Sequence, residues 1–208
     1  MMAKLFVTGG WDDSRLNSSE VLTENGWQLS TSLPVEIHRH CMVMINATSV
    51  MVIGGYQGKS GGTSGKTFLL DGVTKVWREG PELKQKRRDH SCAMIRKDSQ
   101  SQDKSVIVVG GYYYGRLSST EVFDVGSSEW KSGPELPFGI MLAAMVEDPS
   151  GGVVLIGGYN KERKELSTLF RLPHAGSGAT WEEMPQKLKT ARYGHTAFLI
   201  PDELANCN

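Results

Sequence analysis

Val106-Ile107-Val108-Val109-Gly110-Gly111-Tyr112 is a run of β-branched residues stopped by two glycines and an aromatic ring. Such a run, too short for a helix and closed by a turn signal, reads as a buried strand. The same sentence is written three more times. Leu5-Phe6-Val7-Thr8-Gly9-Gly10 precedes Trp11, Val50-Met51-Val52-Ile53-Gly54-Gly55 precedes Tyr56, and Val153-Val154-Leu155-Ile156-Gly157-Gly158 precedes Tyr159. The first glycines are 45, 56 and 47 residues apart.

A second marker keeps the same beat. Trp27, Trp77, Trp130 and Trp181 follow the glycine pairs at intervals of 50, 53 and 51 residues. Between the markers each unit has room for three further short strands. One is Glu20-Val21-Leu22 and its equivalents, one carries the tryptophan, and one opens at His40, His90, Met141 or His195. No segment has a helical period. The fold class is therefore all-β, with a four-stranded sheet per repeat. Approximate units are 1-37, 38-87, 88-139 and 140-190, with a strand at 194-200 left over, all in one domain.

The glycine pair with its aromatic, the spaced tryptophan and an Arg-x-x-His ahead of the next strand resemble the kelch-repeat β-propeller family. The last motif stands as Arg87-Arg88-Asp89-His90 and Arg192-Tyr193-Gly194-His195; it is degraded at Ile37-His38-Arg39-His40 and lost near Phe138 and Met141. The resemblance covers nearly the whole chain. It implies blades of four antiparallel strands, with the strand at 194-200 completing the N-terminal blade. Glycine pairs and tryptophans are then scaffold: the former allow close approach, the latter fill the wedge between blades. Four blades make either a small closed ring or an open arc of a larger one. An open arc exposes two blade faces and invites self-association.

Formal charge balances at 23 basic and 23 acidic residues, so net charge points to neither nucleic acid nor membrane. The loops after the glycine pairs and those leading into each first strand are expected on one face. They hold 15 basic and 6 acidic residues, leaving 8 and 17 for the rest. That face is expected to bind another protein through an acidic peptide or loop, with the chain as an adaptor or scaffold module rather than an enzyme. The expected contacts are Arg39, Arg87, Arg88 and Arg192, with Arg116, Tyr56, Tyr112, Tyr113 and Tyr159 around them; arginine forks grip carboxylates with paired hydrogen bonds.

Rival readings have little support in the residues. Ser60-Gly61-Gly62-Thr63-Ser64-Gly65-Lys66-Thr67 imitates a phosphate loop, but Ser60 stands where glycine is required and a strand follows instead of a helix. The resemblance also admits propeller enzymes of the galactose-oxidase or sugar-isomerase type, and Tyr112-Tyr113-Tyr114 invites a copper reading. No nucleophile, base and orienter are grouped, no cofactor is implied, and no Cys/His spacing suits a metal. Cys41, Cys92 and Cys207 are odd in number. Cys41 directly follows His40 whereas Cys92 is two past His90, so their side chains are expected on opposite faces of their strands, as unpaired thiols. The start is too short for a signal-peptide core, and a cytoplasmic location is expected unless a longer parent carries a signal.

Overall fold

The computed structural model describes residues 5–57 and 61–200. Ser60 and Cys207, which enter the readings above, lie outside the described residues. Among those described every regular element is a strand.

Three four-stranded antiparallel sheets follow one another along the chain. We number the blades 1 to 4. Blade 2 is built from Cys41–Asn46, Ser49–Ile53, Thr67–Asp71 and Val76–Gly80; blade 3 from Ser91–Arg96, Lys104–Val109, Thr120–Asp124 and Lys131–Ser132; blade 4 from Ala144–Glu147, Val153–Ile156, Thr168–Leu172 and Glu182–Lys187. Blade 1 has three strands, Phe6–Thr8, Ser19–Thr23 and Gly26–Ser30. In blades 2 to 4 the strand ahead of the glycine pair lies second in its sheet, whereas in blade 1 it is the edge strand. Met51, Val52 and Ile53, and likewise Val106 to Val109, meet essentially no solvent.

The core is distributed over the faces between blades. Phe6 packs with Met42, Val52, Phe68 and Trp77 between blades 1 and 2. Val43, Ile53 and Leu69 meet Cys92, Val108 and Trp130 between blades 2 and 3. Ile95, Ile107 and Leu136 meet Leu155, Phe170 and Trp181 between blades 3 and 4. Each tryptophan also donates its indole N–H backward to the preceding blade: Trp77 to Thr31 O at 2.9 Å, Trp130 to Pro81 O at 3.0 Å and Trp181 to Pro134 O at 3.0 Å. The ring thus fills the wedge with its body and satisfies its one polar group at the seam. The glycine pairs sit where nothing larger fits: a Cβ at Gly54, whose φ is +60°, would lie 2.7 Å from Arg87 O.

A ladder of backbone hydrogen bonds runs from blade to blade at the heads of the first strands. Asp89 N donates to Arg39 O, Leu142 N to Asp89 O and Gly194 N to Leu142 O. Arg39, Asp89 and Leu142 all have φ near +55°, a costly left-handed turn for side-chain-bearing residues that this ladder offsets.

Two expectations are corrected. Residues 194–200 do not complete blade 1. Gly158 N donates to Arg192 O and Gly194 N to Leu142 O, which ties the segment to blade 4. It therefore leaves at the opposite end of the arc from blade 1; its residues pair with no strand, and Phe198 is 79% exposed. The thiols are also not unpaired, since Cys41 and Cys92 form a disulfide joining the first strands of blades 2 and 3. Opposite parity is what this requires. Neighbouring blades stack face to face, so the downstream side of one strand meets the upstream side of the next.

Candidate functional site: an arginine and aromatic strip on the loop face

The two loop families are hydrogen-bonded to each other, which fixes them on one face. Ile37–His38 pairs with Tyr56–Gln57, which pairs in turn with Gly62–Thr63. Ile140–Met141 pairs with Tyr159–Asn160, and Tyr112 bridges to both Arg88 and Arg116. The segment that imitates a phosphate loop is thus part of a ribbon leading into the strand Thr67–Asp71, with Lys66 ion-paired to Glu79 at 2.8 Å.

Cations and rings alternate along this face. The Arg15 guanidinium lies over the rings of Trp11, at 5.8 Å, and Tyr56, at 4.9 Å. Arg88 lies over Tyr56 at 5.5 Å and Tyr112 at 4.8 Å. His38 fills the gap between Trp11 and Tyr56, with centroids 5.2 and 5.6 Å away. Burial, then the charges of Arg39 and Arg15, lower the His38 pKa and keep the imidazole neutral. Trp11, Arg15, His38, Arg39, Tyr56 and Arg88 line a cavity of about 400 Å³. Further round the face Arg116 sits over Tyr159 at 4.7 Å, and Tyr159 touches Tyr193. A guanidinium over a ring can still offer its terminal N–H groups to a carboxylate, as Arg88 Nη1 does to Asp89.

One carboxylate already sits among these cations. Asp89 Oδ2 is 3.4 Å from Arg39 Nη1 and 3.2 Å from Arg88 Nη1. Beside it, around the axis, Arg39, His40, Asp89, His90, Leu142, Ala143, Gly194 and His195 line a second hollow of about 210 Å³.

The residues expected from sequence divide clearly. Arg39, Arg88, Tyr56 and Tyr112 come together in the strip. Arg116 and Tyr159 form a second stacked pair, and Tyr113 stacks on the exposed Tyr114. Arg192 is exposed at the end of the arc, away from the strip. Arg87 is a correction: it has no exposed surface and cannot meet a partner. Its guanidinium is consumed by Glu121 Oε1 at 2.8 Å, Gly110 O, Ser119 O and Ser119 Oγ. Trp11, Arg15 and His38 are site residues that pattern reading did not single out. The signal was available, since Trp11 holds the position of Tyr56, Tyr112 and Tyr159. Among the described residues no three metal-ligating side chains are grouped.

Comparison with known proteins agrees with this architecture. The kelch motif matches residues 100–137. The chain is 29% identical to an F-box/kelch-repeat protein of Arabidopsis thaliana over 94 residues, 44% of this chain and 22% of that protein. It is 26% identical over 186 residues to Kelch-like protein 36 of Rattus norvegicus and of Mus musculus, 86% of this chain and 28% of each relative. The chain thus spans less than a third of the length of these relatives. The fold is that of kelch-type propeller blades. With four repeats, a matched motif and relatives named for the same repeat, the chain is similar to kelch-repeat proteins.

Proposed function

We propose that this chain is a protein-interaction module that holds an acidic peptide or loop on the strip formed by Arg15, Arg39 and Arg88. The observation that carries this reading is the convergence of three guanidiniums on one open cavity, in which the carboxylate ion-paired to them, among the described residues, is that of Asp89. An incoming carboxylate exchanges with Asp89 for the two arginine forks, and the rings of Trp11, Tyr56 and Tyr112 supply the apolar contact that interfaces need at their centre. The basic surround steers such partners toward this face. The kelch-named relatives favour an interaction role over catalysis. The Cys41–Cys92 bond favours an oxidising compartment over the cytoplasmic placement suggested by the start of the sequence.

The test is fluorescence anisotropy with a labelled Glu/Asp-rich peptide and its Gln/Asn counterpart. The acidic peptide binds in a salt-dependent way, and Arg15→Glu with Arg88→Glu abolishes binding while the circular dichroism spectrum is unchanged. Equal binding of the two peptides, or retention by the double variant, refutes the reading.

A further inference from the structure

Asn46-Ala47-Thr48 has the acceptor pattern for an N-linked glycan, an asparagine with a hydroxyl residue two places on, and Asn17-Ser18-Ser19 has it too. The fold treats the two asparagines differently. Asn46 ends the first strand of blade 2, Cys41–Asn46, and the next strand begins at Ser49. Asn46, Ala47 and Thr48 form the exposed tip of this hairpin. The amide oxygen is held locally: Asn46 Oδ1 accepts from Thr48 N at 2.9 Å and from Thr48 Oγ1 at 3.2 Å. Asn46 Nδ2 has no partner among the described residues, so a substituent on it breaks no bond of the fold.

The surface beside Asn46 is hollowed. A cavity of about 320 Å³ opens between blades 2 and 3, and Asn46 lines it with Leu70, Asp71, Arg78, Val125 and Ser127. Its volume falls in the range of small-molecule sites, about 300–1,000 Å³, and its mixture of apolar and hydrogen-bonding groups leaves room for a sugar ring next to the asparagine. Asn17 has no such freedom. Its Nδ2 donates to Leu33 O at 3.3 Å and its carbonyl accepts from Leu33 N at 2.8 Å, which brackets it against a buried residue. The hydroxyl of its motif is sealed as well: Ser19 meets no solvent, and its Oγ lies 2.6 Å from Thr8 Oγ1. The strand that ends at Asn46 also begins at Cys41, whose disulfide with Cys92 belongs to an oxidising compartment, where this modification is made.

We propose that Asn46 carries an N-linked oligosaccharide and that Asn17 does not. In the transfer, Asn46 Nδ2 attacks the anomeric carbon of an oligosaccharide carried on a lipid diphosphate. A C–N bond forms, the C–O bond to the diphosphate breaks, the lipid diphosphate leaves with the electron pair, and the amide gives one proton to a base of the transferase. Nothing is oxidised or reduced. The glycan stands away from the strip, because the strand starts beside the loop face, just after His38 pairs with Tyr56, and Asn46 is at its far end. Arg15, Arg39 and Arg88 therefore stay open to a partner. The proposal rests on the oxidising-compartment reading and is independent of what the strip binds.

The test uses the full protein isolated from the cells that make it. An amidase that releases N-linked glycans leaves aspartate where the substituted asparagine stood, and in heavy-oxygen water that aspartate is labelled. Mass spectrometry of the peptides should find labelled aspartate at position 46 and unlabelled asparagine at position 17. Made in the same cells, Asn46→Gln and Thr48→Ala should each lose the mobility shift that the amidase produces, Thr48→Ser should keep it, and Asn17→Gln should leave it unchanged. These positions other than Asn17 are exposed at a hairpin tip, so the variants should fold. An unlabelled position 46, a label at position 17, or a shift that survives Asn46→Gln overturns the proposal. Thiol titration of the denatured, unreduced protein then separates the causes. With position 46 unlabelled, one reactive cysteine means that the compartment reading stands and the site assignment alone has failed; three mean that both have failed.

Discussion

Arg87 and Glu121 form an ion pair of 2.8 Å in which neither side chain meets solvent to any useful extent. The pair is fully hydrogen-bonded at the acid. Glu121 also accepts from the backbone N–H groups of Lys84, at 2.7 Å, and Gln85, at 3.1 Å. Removing one partner leaves a buried charge and orphaned donors, which costs about 3–5 kcal/mol. Arg87→Ala and Glu121→Ala are each expected to lower the unfolding free energy by that much, read from urea titration. Arg87→Ile with Glu121→Phe should recover most of the loss, because it installs the Ile–Phe pairing already present in blades 2 and 4. A double variant no better than the singles would mean that the site needs the charges themselves.

The Cys41–Cys92 bond closes a loop of about 50 residues across one blade seam. Chain-entropy arguments put its contribution at up to about 4 kcal/mol. Reduction is expected to lower the midpoint of unfolding without unfolding the chain under native conditions, since Val43, Ile53, Val108 and Trp130 still fill the same seam. Thiol titration of the denatured, unreduced protein should find one reactive cysteine, and three after reduction. Three before reduction would show that the bond does not form.

Much of the fold was legible because the repeat makes its own alignment. Gly-Gly ends four strands and tryptophan marks four outer strands, so the blades could be placed before any side-chain contact was known. The site was legible only as a face. Arg87 and Arg88 are adjacent in sequence, yet one is sealed under the next blade and the other stacks on Tyr56 and Tyr112. No property of either residue distinguishes them. Glu121 does, by occupying a place that holds Phe68 and Phe170 elsewhere. The disulfide was misread for a related reason: parity along one strand says which face a side chain takes, but a contact between blades needs opposite faces. Residues 194–200 have the pattern of a first strand, and only the strand pairing shows that they do not complete blade 1, which keeps three strands.

Two desolvated imidazoles, His90 buried and His40 partly covered, set the acid limit of stability. Burial lowers His40 to a pKa of about 4, and burial together with the Arg87 charge lowers His90 to about 3. Both stay neutral in the folded chain while an unfolded histidine takes up a proton near pH 6.5. Below that point the unfolded state binds more protons, so stability is constant above about pH 7 and is lost as the pH falls from 6.5 toward 4. His40 alone accounts for about 3 kcal/mol over that interval. The carboxylates with lowered values, Asp71, Asp98, Asp124 and Asp148, act below their ordinary value of 3.8 and so outside this window. Urea midpoints between pH 4.5 and 7.5 should fall steeply toward acid, and His40→Asn should flatten the curve. A flat profile for the unaltered protein would contradict the burial of these rings as neutral groups.

Asp89 holds the strip in its unoccupied state by engaging Arg39 and Arg88 at once. Its side chain is almost covered, so its charge is weakly screened, and any acidic guest has to displace it from both forks. Asp89→Asn removes the competing charge while keeping the shape and the backbone bonds of the axial ladder, and asparagine tolerates the left-handed turn at this position. The variant is therefore expected to bind an acidic peptide roughly tenfold more tightly, in line with about 1.4 kcal/mol for one relieved partly exposed interaction. The gain should shrink at high salt and vanish in the Arg88→Glu background. Peptide affinity that falls instead would mean that Asp89 orients the arginines for the guest, acting as part of the site and not as its competitor.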